Sequence, residues 1–548
     1  MLSPSIASLA ILLASLLGAK CLEGPSQRDL PGHGRLMASR ATAQHTVELY
    51  MIADYSLYKE WYDRTTGIND TTEHQKTTIT NLNKYLSSLI NTADMAYRSL
   101  EKYGIYVKLV LTEIQVITSA EQSHWTENIK VMNGSKYQVN GFRTVDELTK
   151  TSASILVSKP HDHLMLVTAY DLLGQGNEDI LGVTHLAGIC TNLRVSVVED
   201  SKHIQTAQTM AHELGHSLGS QHDGEGNNCT TALDFLMAPE LDRSHVLREW
   251  IFSICSSGHI MSTIQKLNRE NNNCMTVINN LHPNQQVAEY TKLFFGDLYS
   301  ADDQCRMIYG PGSHVCRHAY TNSAYPYSGL CQRFACYDPK RNDCYTKIAG
   351  DHTLCGNHKW CVLGQCLPDP HAGAAIEDCL YGDVPGIVYK GQTCADYISD
   401  QPAFYCSEAF YRSQCCLSCA KLATNIPGCP YGDTASSSIC ASTVPSMCYS
   451  RRYALKCCKT CHDLETADPD CRWGDKATFC NILKSQECYS KADTCCLICN
   501  TTYKTDIPGC MYGDKINTCD QIMCPTYDHN QLSLCCNTCH DFVPPIVG

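Results

Sequence analysis

Apolar residues recur along the first half of the chain in two rhythms. "VELYMIAD", from Val47, is a nearly continuous apolar run of strand length, and "IYVKLVLTEIQVI" (105–117) is β-rich and partly alternating. "HLMLVT" (163–168) has the make-up of a buried strand. Between these runs Ile79, Leu82, Leu86, Leu89, Ala93, Ala96 and Leu100 follow at spacings of three and four, which lays them on one helix face. Gly104 stands where that helix should stop. Residues 203–218 repeat the helical rhythm through Ala207, Met210, Ala211, Leu214 and Leu218. Residues 45–282 are therefore expected to form an α/β domain, long enough to bury a substantial core of its own.

Past residue 282 cysteine takes over from periodicity. Of the 37 cysteines, Cys21 stands alone, Cys190, Cys229, Cys255 and Cys274 follow, eight run from Cys305 to Cys366, and twenty-four fill 379–539. Each block after Cys21 holds an even number, so each can close its own bridges, and so many thiols point to an oxidising compartment. The last block is an internal repeat. Its four units open with "CLYGD", "CPYGD", "CRWGD" and "CMYGD" and close with "CCLSC", "CCKTC", "CCLIC" and "CCNTC". Units this small hold little core, so three bridges apiece are the expected staple. Zinc is disfavoured there, since no histidine recurs among the units. The Gly-Asp pair in each opening is read as a turn.

The chain thus divides into a signal peptide (1–21), a short segment (22–44), the α/β domain (45–282), a cysteine-rich module (283–370) and repeats at 371–420, 421–462, 463–500 and 501–548. "PSIASLAILLASLLGA" has signal-peptide length and ends in small residues. No later stretch is apolar enough for a membrane span. Sequons at Asn69, Asn133, Asn228 and Asn500 agree with secretion and glycosylation. A net charge of −13 lacks the basic footprint that nucleic acid demands.

The densest chemistry lies in "TMAHELGHSLGSQHDGEG" (209–226). Positions four apart on a helix differ by only ~40°, so His212 and His216 face one point, with Glu213 beside it. Gly219 can take the left-handed conformation that ends the helix, after which His222 arrives from another direction. Three neutral imidazoles leave Zn²⁺ one open position, the mark of a catalytic site. Glu213 is then the expected general base on a zinc-bound water, in hydrolysis of an internal peptide bond.

Residues 212–223 carry H-E-x-x-H-x-x-G-x-x-H-D and so resemble the metzincin signature, with Asp223 as in the adamalysin/reprolysin (ADAM) branch. The resemblance implies a metzincin fold, a twisted mixed sheet with an active-site helix, followed here by small disulfide-rich modules. It also implies a methionine turn at Met237 that packs beneath the metal, bridges Cys190–Cys274 and Cys229–Cys255, and an edge strand near 181–189 along which substrate extends. A Ca²⁺ site is implied at Glu48 and Asp162, with Asn279 or Asn280 completing it; His161 and His163 beside it are read as ordinary strand-edge histidines. Residues 301–366 resemble the disintegrin-like module of the ADAM-TS branch, which in the family lies against the catalytic domain and helps select substrates, and the four repeats partly resemble the PLAC (protease and lacunin) module. No thrombospondin type 1 signature and no long propeptide are expected. The function implied is a secreted zinc metalloendopeptidase acting on extracellular or matrix proteins, with matrix components as possible partners of the repeats and no membrane anchor. The competing reading is a matrix or secretory-fluid binding protein whose protease is vestigial.

Overall fold

The computed structural model describes residues 44–176, 179–240, 246–279, 289–320 and 326–542; the expected signal peptide, Cys21, nearly all of the 22–44 segment and Asn280 lie outside them. Strand β1 (Gln44–Ala53) is buried at every residue but its first. It lies between β2 (Tyr106–Val116) and β5 (His163–Thr168), parallel to both, and a strand covered on both faces needs apolar side chains pointing both ways. Val47, Leu49 and Met51 enter one core and Tyr50 and Ile52 the other.

Asp54 ends β1 and caps α1 (Tyr55–Arg64), its Oδ1 accepting the Leu57 N–H at 2.9 Å. Helix α2 (Thr71–Tyr97) begins eight residues before the periodic face that announces it, because Asp70 caps it and its first turns are largely exposed. Leu82, Leu86, Leu89, Ala93 and Ala96 are fully buried on that face, each large side chain contributing roughly 1.5–3 kcal/mol. A 3₁₀ turn, Arg98–Tyr103, follows, and the chain leaves it at Gly104 with φ +75°.

The first sheet is completed by β9 (Val195–Glu199), parallel to β5, and by β8 (Gly182–Thr184), antiparallel to β9 and at the edge. A second sheet, which periodicity did not announce, joins β3 (Val131–Asn133), β4 (Lys136–Asn140), β6 (Asp171–Leu173) and β7 (Asp179–Ile180). Short α3 (His124–Glu127) precedes it, and α4 (Gly141–Ser158) leaves β4 through the Asn140 cap. Helices α5 (Gln205–Ser217) and α6 (Ile254–Arg269) finish the domain. Among the described residues no helix is long and apolar enough to cross a membrane.

The cysteine-rich module does not stand apart from this core. Its Phe295 and Ile348 belong to the same buried cluster as α2 and α5. Thr92 on α2 donates to Asp351 Oδ2 at 2.8 Å, and Asn91 donates to the carbonyls of Tyr290 and Leu293. Its bridges are Cys305–Cys336, Cys316–Cys344, Cys331–Cys361 and Cys355–Cys366.

All four repeats share one pairing: first cysteine with fifth, second with fourth, third with sixth, as in Cys379–Cys416, Cys394–Cys415 and Cys406–Cys419. The other repeats match it. The Gly-Asp pair does more than turn. Asp383, Asp433, Asp475 and Asp514 each accept two backbone N–H groups, at 2.7–3.2 Å, from the segment that the closing CC-x-x-C begins, a helix in the first three units and a turn in the fourth. A hydroxyl from Ser418, Thr460 or Thr538 adds a third bond in the first, second and fourth units. Ile498 stands there in the third. In the first three units the opening aspartate is thus a helix cap supplied from far along the chain, and in the fourth it holds the equivalent turn.

Candidate metal centre

Helix α5 brings His212 and His216 to one point, and the break that follows brings His222. Gly219 has φ +94°, and its N–H closes on the His216 carbonyl at 2.8 Å. A Cβ there would stand 2.0 Å from Thr263 Oγ1 of α6, so the turn excludes a side chain on two counts. His222 Nε2 then lies 3.2 Å from His212 Nε2 and 3.0 Å from His216 Nε2.

The protonation of these rings follows from their other nitrogens. His212 Nδ1 is 2.7 Å from the Leu236 carbonyl and His216 Nδ1 2.7 Å from the Ser220 carbonyl. Carbonyls only accept, so both Nδ1 atoms carry the proton. His222 Nδ1 faces a Glu225 carboxylate oxygen at 3.0 Å and donates likewise. Burial holds His212 neutral, its pKa far below the usual imidazole range, and lowers His216 to about 4. His212 and His216 therefore turn bare Nε2 lone pairs toward the Nε2 of His222. Lone pairs aimed at one point suit a cation there, and three imidazoles suit Zn²⁺.

Glu213 is buried on the same helix, and burial pushes its carboxyl up to about 8. Edge strand β8 passes over it: a Cβ on Gly182 would lie 2.6 Å from Glu213 Oε1. Met237 is fully buried beneath the rings, with its sulfur 2.6 Å from where a Cβ on Gly215 would be. Asp223 ties the third histidine to this support. Its N–H donates to the Met237 carbonyl at 2.9 Å, and its Oδ1 accepts from Ser253 at 2.6 Å. Cys229–Cys255 bonds the same loop to α6, and Cys190–Cys274 bonds the segment before α5 to the domain's end.

The expected strand near 181–189 is shorter than its outline: only 182–184 pair with β9. Beyond Thr184 the chain turns, with Ala187 and Cys190 at φ +53° and +61°. Ala187 N–H then donates to the His216 carbonyl and Ile189 N–H to that of Ser217, so this stretch satisfies the end of α5 instead of extending the sheet. Beside the histidines opens a cleft of about 740 Å³, walled by Leu181, Gly182 and Thr184 on one side and Leu236, Ala238 and Pro239 on the other.

Glu48, Asp162 and Asn279 also meet. Glu48 N–H donates to Asp162 Oδ2 and Asn279 N–H to Glu48 Oε2, each at 2.9 Å. Asp162 Oδ1 is buried with no hydrogen-bond partner among the described residues, and burial raises that carboxyl to about 6. His163 is buried between Ser196 and Ser217, where burial keeps it neutral. The sequon residues Asn69, Asn133, Asn228 and Asn500 are exposed.

Gly215 and Gly182 escaped the sequence reading. A glycine inside a helix costs about 1 kcal/mol against alanine, so Gly215 carried a signal that something packs close. Gly182 carried none.

Residues 43–248 match the model of Metallo-peptidase family M12, and 295–367 match the ADAMTS cysteine-rich domain 2. "A disintegrin and metalloproteinase with thrombospondin motifs 7" of Mus musculus is 31% identical over 289 residues, 49% of this chain and 16% of that protein. The mouse protein of the same name numbered 16 is 31% identical over 44% of this chain and 19% of its own length. Number 12 is 25% identical over 57% and 18%. The chain spans less than a fifth of each of these three relatives. The α/β domain thus matches Metallo-peptidase family M12 and the module after it the ADAMTS cysteine-rich domain, an order consistent with the ADAM-TS branch.

Proposed function

We propose that the protein is a secreted zinc endopeptidase that hydrolyses internal peptide bonds of extracellular proteins. The observation that carries this reading is the convergence of the His212 and His216 Nε2 atoms within 3.2 Å of His222 Nε2, next to a buried carboxyl and an edge strand. His212, His216 and His222 hold the metal. When bound, Zn²⁺ acidifies water and polarises a carbonyl. Substrate adds to β8 as a further strand, which lays its backbone across the cleft. Glu213 takes the proton of the attacking water and hands it to the leaving amine. A dication beside it lowers its pKa from the metal-free value, so it is an ionised base at neutral pH. Glu48, Asp162 and Asn279 hold Ca²⁺, a reading supported by the buried, unpaired Asp162 oxygen.

Glu213→Ala is expected to lower turnover of a protein substrate by at least about a thousandfold while the purified variant retains one zinc per chain by elemental analysis. Normal turnover would remove Glu213 from its role. A parent protein free of zinc, with hydrolysis indifferent to chelator, would remove the metal.

A further inference from the structure

The cleft beside the histidines carries charge of one sign. Asp179 on β7 lines one wall and Glu240, directly after Pro239, lines the other, and both are exposed. Neither carboxylate takes part in an ion pair among the described residues, and no described lysine or arginine lines the cleft. Glu213 points into the same space, only 5% exposed and without a hydrogen-bond partner among the described residues.

The floor has the same bias. Gln205, Thr209 and His212 follow one another at spacings of four and three, which sets them on the one face of α5 that looks into the cleft. Thr209 spends its hydroxyl proton on the Gln205 carbonyl at 3.2 Å, so its oxygen can only accept from anything bound in the cleft. The side-chain amide of Gln205 has no partner among the described residues and can turn its oxygen the same way. Above the floor the walls are apolar. Phe142 and Leu181 line the cleft and remain 40% and 41% exposed, a large share for side chains of this kind. Apolar walls that end in unpaired carboxylates match a long side chain with a methylene stem and a cationic head.

We infer that the cleft selects substrates carrying a lysine or arginine close to the scissile bond, the stem lying on Phe142 and Leu181 and the head meeting the carboxylates of Asp179 and Glu240. An acidic side chain in that place meets like charge and finds no cation to receive it. The inference deepens the proteolytic reading and rests on it.

The test begins with cleavage of a peptide library that retains internal lysine and arginine, by the full zinc-loaded chain with and without chelator. Lysine or arginine should be enriched at least about fivefold at one fixed position near the cut. Matched peptides with lysine, norleucine or glutamate at that position then give kcat/KM ratios. Lysine should exceed norleucine by at least about fivefold and glutamate by more. The charge-neutralising pair Asp179→Asn and Glu240→Gln, combined in one chain, should bring the lysine-to-norleucine ratio below about twofold, and added salt should shrink it in the parent. Because the ratio is taken within one preparation, partial misfolding of a variant lowers both rates and leaves it unmoved. Chelator-sensitive cleavage with no basic preference, a preference for glutamate, or a ratio that survives the double substitution would overturn the inference and leave the proteolytic reading standing. No chelator-sensitive cleavage of any peptide would overturn both.

Discussion

The α/β domain and the repeats reach a fixed fold by opposite means. The first buries both faces of a central strand and closes only two disulfides, Cys190–Cys274 and Cys229–Cys255. Each repeat closes three within about forty residues, and the small buried clusters of the first, third and fourth are made largely of the cysteines themselves. In one region apolar packing decides the fold and bridges trim it. In the other the bridges are the core.

Reduction should separate the two most widely. Losing a native bridge costs about 2–5 kcal/mol, and three such losses exceed what a unit of this size can hold in reserve. With rising dithiothreitol the repeats should become fully susceptible to limited digestion while β1, α2 and α5 stay protected. Simultaneous loss of protection would break the contrast.

Packing is tested next. Gly215→Val forces a side chain into Met237 Sδ and Phe252, and should cost at least about 3 kcal/mol in thermal unfolding and lower zinc retention. Gly258 on α6 has open space around it, so Gly258→Ala should be neutral or stabilising by up to about 1 kcal/mol.

The pH dependence of metal-free protein is a third test. Burial raises Glu199 to about 7 and Glu213 to about 8. A carboxyl whose folded pKa is raised stabilises the fold while protonated, and that stability is lost as pH rises through the folded value. The lowered histidines act the other way, but only below their unfolded pKa near 6.5. Between pH 6.5 and 8 the α/β domain should therefore lose on the order of 2 kcal/mol, and zinc should reduce the loss by drawing Glu213 down. A midpoint that rises over this window would contradict the burial of these two carboxyls.

The smallest effect sharpens the picture of the repeats. Asp433→Ala removes three hydrogen bonds and Asp475→Ala two, since Ile498 offers no hydroxyl. Each should cost about 1 kcal/mol, with Asp433 the larger, as read from unfolding of the two variants.

The metal centre was legible because its ligands lie within one short segment and helix geometry alone makes them meet. Gly219 was legible for the same reason. The meeting of Glu48, Asp162 and Asn279 was not legible from spacing, since the three lie far apart in the chain and only the family resemblance joined them. The second sheet escaped because β3, β6 and β7 are too short to show a period. The edge strand was drawn too long because a local apolar run does not reveal that Ala187 and Ile189 are needed by α5. The role of the opening aspartates was hidden because their partners lie 22 to 35 residues on.

One bond in the α/β domain has a consequence for the molecule's own survival. All three imidazoles, Glu213 and Met237 lie inside the loop closed by Cys190–Cys274. A single self-inflicted nick anywhere in that loop leaves both fragments covalently joined. Damaged molecules of this kind would migrate as intact on a non-reducing gel and separate into two pieces only once the bridge is opened.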